Sequence, residues 1–154
     1  MTTLDGRRIG VRGVIIKGGK LLAVKHKSNT GEEPNYWALP GGGLDPLESL
    51  EAGVARELYE ELGVRAVVGR LLAIQQFPSE RADRSEELEF FFHIENTADF
   101  ASIDLSATTH GLEELARVEF VDPHTENVLP KFFQQIDIAS LIARDTPTLI
   151  KTYF

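Results

Sequence analysis

A chain of 154 residues, 42% hydrophobic and 26% charged, is long enough for one ordinary soluble domain with its own core. A net charge of −8 argues against a nonspecific grip on nucleic-acid backbones, and the lack of cysteine excludes disulfides, thiolate metal sites and a cysteine nucleophile. No apolar run approaches a membrane span, and residues 1–12 lack the apolar stretch of a signal peptide, so a cytoplasmic protein with no membrane partner is expected.

In chain order, residues 1–8 read as a loose lead-in. Residues 11–16 and 21–24 are β-rich runs around Gly18 and Gly19, which predicts a hairpin with a two-residue turn. Residues 25–35 are polar and contain a glycine and a proline, so they read as a loop. Lys25, His26 and Lys27 in it are candidates for phosphate contact. The stretch WALPGGG follows at 37–43. Three consecutive glycines permit positive φ and close approach of backbone to a ligand. Asp45, Pro46 and Glu48 read as a helix entry, where proline and acidic residues are favoured.

Residues 50–62 plot as a helix. At about 100° per residue, Glu57, Glu60 and Glu61 share a face, while Ala55, Leu58, Tyr59 and Leu62 lie roughly opposite and are expected to be buried. Like charges three and four residues apart repel. Arg56 alone does not neutralise three glutamates, so the face reads as uncompensated. A hard divalent cation with oxygen ligands, Mg2+ or Mn2+, would compensate it. Gly53, on the same face one turn earlier, reads as space for a metal, its waters or a phosphate. Glu48 in an ideal helix faces away from the other three.

Beyond the helix, residues 66–77 are strand-like with a break at Gly69, and 78–87 form a charged loop. Residues 88–94 alternate, with Leu88, Phe90, Phe92 and Ile94 on one side and Glu89, Phe91 and His93 on the other. Residues 96–113 are irregular, and 115–121 predict a strand. Residues 123–144 carry helical spacing interrupted by Pro130, and 149–154 are open between a strand and a tail. The elements predict a single domain over 1–154 of α/β or layered α+β class, with one central and one C-terminal helix.

Residues 42–64 read GGLDPLESLEAGVARELYEELGV. Gly42, Glu48, Arg56-Glu57, Glu60-Glu61 and Gly63-Val64 fill the pattern G-x5-E-x7-R-E-U-x-E-E-x-G-U, with U aliphatic. This resembles the signature box of the Nudix hydrolases at every defining position. The resemblance implies a mixed β-sheet sandwiched between helices. It also implies hydrolysis of a diphosphate linkage in a nucleoside diphosphate derivative, such as a nucleoside triphosphate or ADP-ribose, with Mg2+ or Mn2+ as cofactor. By the same resemblance Glu57, Glu60 and Glu61 are metal ligands, with a carbonyl of Gly41 or Gly42 beside them. Glu57 or Glu60 holds the attacking water, Arg56 orients the glutamates, and Glu48 and Gly42 support the loop. Some relatives draw a further acid from a downstream loop, where Glu86, Glu87, Glu113 and Glu114 are available. The expected partner is a small phosphorylated nucleotide-type substrate rather than a nucleic acid, held by loops 25–36 and 78–87 with Tyr36 or Phe77 as candidate stacking aromatics. A homodimer is a candidate assembly. The alternative reading, a nucleotide-binding sensor that does not cut, is disfavoured because such modules usually lose box carboxylates and this chain keeps them all.

Overall fold

The computed structural model describes residues 6–143 and 145–154. Strands β1 (Arg7–Val14), β2 (Ile16–Lys17), β3 (Lys20–His26), β4 (Trp37–Ala38) and β5 (Gly41–Gly43) precede helix α1 (Leu50–Leu62). Then come β6 (Val68–Pro78), β7 (Glu86–Ile94), the short helix α2 (Gly111–Glu114), β8 (Leu115–Val121), β9 (Val128–Leu129), α3 (Ile138–Leu141) and β10 (Leu149–Thr152). One sheet has the order β10-β6-β7-β1-β5, the other β2-β3-β4-β9 with β8 also paired to β3. In the first sheet β1 and β7 run parallel while β1 and β5 run antiparallel, so the expected mixed α/β class is what forms.

Local chemistry explains most boundaries. Gly18 and Gly19 have φ of 57° and 77°, the left-handed pair that a tight hairpin turn requires, and β2 pairs antiparallel with β3 across it. Helix α1 starts after Ser49, whose side chain accepts from the Ala52 amide at 3.1 Å, and stops at Gly63 with φ 72°. The break anticipated at Gly69 is a register shift between β6 and β7 around Val68 and Leu71.

Three expectations are corrected, and one left open is decided. Residues 7 and 8 are not lead-in: they open β1, where Arg7 and Arg8 lie beside Glu86 and Glu87 of β7, unlike charges in register. The expectation for residues 1–5 lies outside the described residues. Residues 11–16 do not form one strand; the run divides between β1 and β2, one in each sheet. The C-terminal helix over 123–144 is replaced by β9, a 3-10 turn at Lys131–Gln134 and the four-residue α3. Pro130 has no N–H to donate, and Phe132 and Phe133 instead pack edge-on against Phe91 with ring centroids 5.9 and 5.4 Å away. Residues 149–152 are a strand, β10, paired parallel with β6.

Both faces of the sheets are covered. One apolar cluster gathers Phe91, Phe132 and Phe133 with Trp37, Leu39 and Ala73. The other joins Val54, Leu58 and Leu62 of α1 to Val11, Phe92 and Ile94. The alternation read in residues 88–94 is realised, because Phe91 enters the first cluster while Phe92 and Ile94 enter the second. Among the described residues no helix is long and apolar enough to cross a membrane.

Leu58 is fully buried, and its Cδ1 lies so close to Gly13 that a Cβ there would stand 2.9 Å away. Leu58→Ala is therefore expected to cost about 2–5 kcal/mol of stability, the usual range for a buried leucine truncated to a cavity. Denaturant unfolding with unchanged m-value checks this, and an unchanged midpoint would mean that this face of α1 does not carry the packing.

Candidate active site

The site is built on close contact between α1 and β5. Strand β5 pairs antiparallel with β1, setting Arg12 opposite Gly41 and Val11 opposite Gly42. Gly41 has φ 149°, and a Cβ on it would collide with the Val11 carbonyl. A Cβ on Gly42 would stand 2.5 Å from the Glu57 carboxyl carbon. The two glycines thus leave bare backbone on which the carboxylates of α1 rest. The Gly41 amide donates to Glu61 Oε2 at 3.4 Å.

Arg56 organises the remaining acids. Its Nε and Nη2 donate to the two oxygens of Glu48 at 2.7 and 2.8 Å. Its Nη1 donates to Glu57 at 2.9 Å and Glu60 at 3.2 Å, and Nη2 also reaches the Gly43 carbonyl at 3.0 Å. A guanidinium has five N–H donors in a fixed fork, and these five bonds use them all. The Arg56 bond holds the Glu48 carboxyl down at about 2, and Glu48 in turn raises the Arg56 pKa. Burial pushes Glu57 up, partly offset by Arg56. Burial pushes Glu61 up further, to about 8, with Arg12 pulling the other way and Glu57 and Glu114 adding to the rise.

The structure brings Glu48, Arg56, Glu57, Glu60 and Glu61 together with Gly41 and Gly42, and it changes how they are arranged. The acidic face is not uncompensated, since Arg56 engages three of the four glutamates and Arg12 acts on the fourth. Glu48 does not face away: it precedes the helix and folds back onto Arg56 and the Asp45 amide. Gly53 does not open space for a ligand, because a Cβ there would strike Leu44. Tyr59 is not core; it is 43% exposed with the Arg65 guanidinium over its ring at 4.9 Å, whereas Glu61 is only 2% exposed. The buried stripe of α1 is rotated toward the acids, so Glu61 sits inside it rather than opposite it.

Among the downstream acids, Glu114 acts electrostatically on both Glu57 and Glu61, carried there by α2. Glu86 and Glu87 instead pair with Arg7, Arg8 and Arg84 where β1 and β7 begin. His110 Nδ1 lies 3.5 Å from Glu60, and its amide donates to the Glu60 carbonyl. Of the basic trio, Lys25 lies over Trp37 and Lys27 donates to the Leu112 carbonyl, while His26 lines a cavity of about 580 Å3. Tyr36 and Phe77, the candidate stacking aromatics, also line it. Arg12 closes the near end, donating to the Leu39 carbonyl at 3.2 Å and to Glu89 at 2.9 Å. Sequence reasoning missed Arg12, Gln75 and Glu89. The available signal was a glutamate inside the phenylalanine-rich run of β7 and an arginine on the β1 face that alternates away from Val11.

Among the described residues no three acidic or histidine side chains already converge as a metal site, with Glu57 and Glu60 turned onto Arg56 and Glu61 onto the Gly41 amide. The donor set nevertheless fits a hard divalent cation. Every donor is oxygen, Gly42 leaves the Glu57 carboxyl against bare backbone, and burial disfavours the charge on Glu61 that a cation would restore.

A family model for the NUDIX domain matches residues 6–138. A mouse (Mus musculus) protein, diphosphoinositol polyphosphate phosphohydrolase 3-alpha, is 40% identical over 52 residues, which is 34% of this chain and 32% of that protein. The alignment thus spans about a third of that relative's length. The solution structure of the E. coli ORF135 protein superposes with a TM-score of 0.68 at 22% identity, covering 92% of this chain and 96% of that one. An ADP-ribose pyrophosphatase from Streptococcus suis gives a TM-score of 0.63 at 18% identity over 93% of this chain and 98% of that one. Both structures support the likeness of fold.

The burial of Glu61 has a pH consequence in metal-free protein. Its folded pKa of about 8 stands above the ordinary 4.5, so its contribution to stability is full below about 4.5 and is lost as pH rises toward 8. Urea unfolding in EDTA between pH 5 and 8 should show wild type losing stability relative to Glu61→Gln. Parallel pH profiles for the two proteins would place the Glu61 carboxyl in water.

Proposed function

We propose that this chain, which belongs to the Nudix family, is a metal-dependent hydrolase that cuts the diphosphate linkage of a small nucleoside diphosphate derivative. The observation that carries the reading is the placement of Glu57 and Glu61 against the β5 glycines, with Glu60 joined to Glu57 through Arg56, and with Arg12 standing between Glu61 and an aromatic-walled cavity. Glu57, Glu60 and Glu61, with a carbonyl of Gly41 or Gly42, hold Mg2+ or Mn2+. The bound metal supplies charge neutralisation at the phosphate oxygens and activation of water. Arg56 gathers Glu48, Glu57 and Glu60 around one guanidinium, so Glu57 and Glu60 are held close to where a metal would sit and need only turn toward it. Glu57 or Glu60 takes the proton of the attacking water, and Glu48 keeps Arg56 in place.

The cavity supports a nucleotide over a polyphosphorylated inositol. It is lined by Glu80, Glu87 and Glu89 as well as by Arg12, His26 and Lys131. A ring bearing many phosphates needs a predominance of cationic donors, whereas a planar base between Tyr36 and Phe77 does not.

Hydrolysis of a substrate panel with Mg2+ should stop entirely in EDTA and return on adding Mg2+ or Mn2+. Turnover in metal-free buffer would remove the mechanism. Glu57→Gln and Glu60→Gln should each lower kcat by about 100-fold or more with the circular dichroism spectrum unchanged, since loss of a main electrostatic contributor costs a few kcal/mol at the transition state. Near-normal kcat in a folded double variant would move the site elsewhere.

A further inference from the structure

The cavity has a hydrogen-bonding floor that the diphosphate chemistry does not use. Gln75 of β6 and Glu89 of β7 are direct cross-strand partners, and both are buried, 6% and 7% exposed. Burying a carboxylate and an amide side by side at the edge of an apolar cluster is costly unless each is bonded. Here they are joined in a chain. Arg12 Nε donates to Glu89 Oε2 at 2.9 Å, and Gln75 Nε2 donates to Glu89 Oε1 at 2.7 Å. Arg12, Gln75 and Glu89 all line the cavity, with Phe77 and Tyr36 on its walls.

The chain fixes one thing that an isolated glutamine leaves open. A side-chain amide can present its nitrogen and oxygen in either order. Glu89 is an acceptor on both oxygens, so the Gln75 nitrogen must point at it and the Gln75 oxygen must point away. One N–H and the carbonyl of Gln75 then remain, in a fixed order, for a ligand in the cavity. An amide presenting one donor beside one acceptor matches the edge of a nucleobase, and a fixed order tells a base with an amino donor and ring acceptor from one with the reverse.

We propose that Gln75 is the specificity-determining residue of this site, its amide held in one orientation by the Arg12–Glu89 pair and pairing with the edge of a nucleobase seated between Phe77 and Tyr36. This rests on the hydrolase reading above only for the choice of a nucleotide as ligand.

The test measures binding and turnover separately. Nucleoside α,β-methylene diphosphates of adenine, guanine, cytosine and uracil, which cannot be cut at that linkage, are titrated into wild type and Gln75→Met with Mg2+ by calorimetry. The wild-type Kd should span tenfold or more across the four, and in Gln75→Met the span should shrink to within about threefold. In 15N-labelled wild type, the Gln75 side-chain amide resonances should shift with the tightest analogue, a readout that stands even where the variant fails to fold. A flat wild-type series, an unchanged span in Gln75→Met, an equal weakening of all four, or unmoved Gln75 resonances would overturn the proposal. Turnover of the natural diphosphates without base preference would overturn it while leaving the hydrolase. Base-dependent binding lost in Gln75→Met, with no turnover of any nucleotide, would uphold it and sink the hydrolase reading.

Discussion

Everything at this site depends on a helix lying directly on backbone. The carboxyl of Glu57 occupies the space where a Cβ of residue 42 would be, and the Gly41 amide reaches Glu61. A side chain at 41 would meet the Val11 carbonyl of the neighbouring strand, so that position is closed by the sheet itself. The contact has two sides. On one, β5 is pinned to β1 in antiparallel register; on the other, α1 is pinned by Val54, Leu58 and Leu62 in the apolar cluster with Val11 and Phe92. The acids are therefore placed by packing, and the order of events runs from core to chemistry.

Given that placement, the electrostatics follow. Three glutamates share one fully committed arginine, and a fourth, Glu61, is buried nearby without it. Arg56 spends its best geometry, a two-point grip, on Glu48, a residue outside the helix, which ties the loop after β5 to the middle of α1. What it gives Glu57 and Glu60 is one shared nitrogen. Glu61 receives only a long amide bond and the field of Arg12, while burial and Glu57 work against its charge. The protein thus stabilises the acids unequally: the supporting Glu48 is easy to ionise and the buried Glu61 is hard to ionise. A cation would complete the balance where the charge is hardest to hold, beside Glu61 and Glu57.

Much of this was legible in the sequence and some was not, for definite reasons. The bounds of α1, the hairpin at Gly18 and Gly19, strand β8 and the two-sided alternation of β7 are local matters of spacing and turn chemistry. The spacing of Glu57, Glu60 and Glu61 said that the acids are neighbours. It did not say which side of the helix is buried, because the apolar residues 54, 58 and 62 leave the stripe free to lean either way. Tyr59 and Glu61 both border it, and the sheet decided between them: bare glycine backbone accepts a carboxylate, and Arg65 offers Tyr59 a partner outside. The C-terminal region misled because helical spacing of Phe132, Ile136 and Ile138 is also what a chain shows when it drops side chains one by one into an existing pocket around Phe91. Arg12 reaches Glu89 across 77 residues and Gln75 meets Glu89 through the β6–β7 pairing, contacts set by strand register that no local pattern encodes.

Strand β1 is the element that joins the two halves of the site. Val11 looks toward α1 and the apolar cluster under it, and Arg12, the next residue, lines the cavity on the opposite side. Side chains along a strand alternate, so one register fixes both. The signature residues lie on β5, the following loop and α1, whereas the cavity floor comes from β6 and β7, which carry none of them. Gln75 and Phe77 line the cavity, whereas Phe92 and Ile94 of β7 join the apolar cluster under α1. On the proposed reading, the helix would keep one chemistry while strands β6 and β7 select the substrate, and Arg12, touching Glu89 on one side and acting on Glu61 on the other, is where the two parts of the site meet.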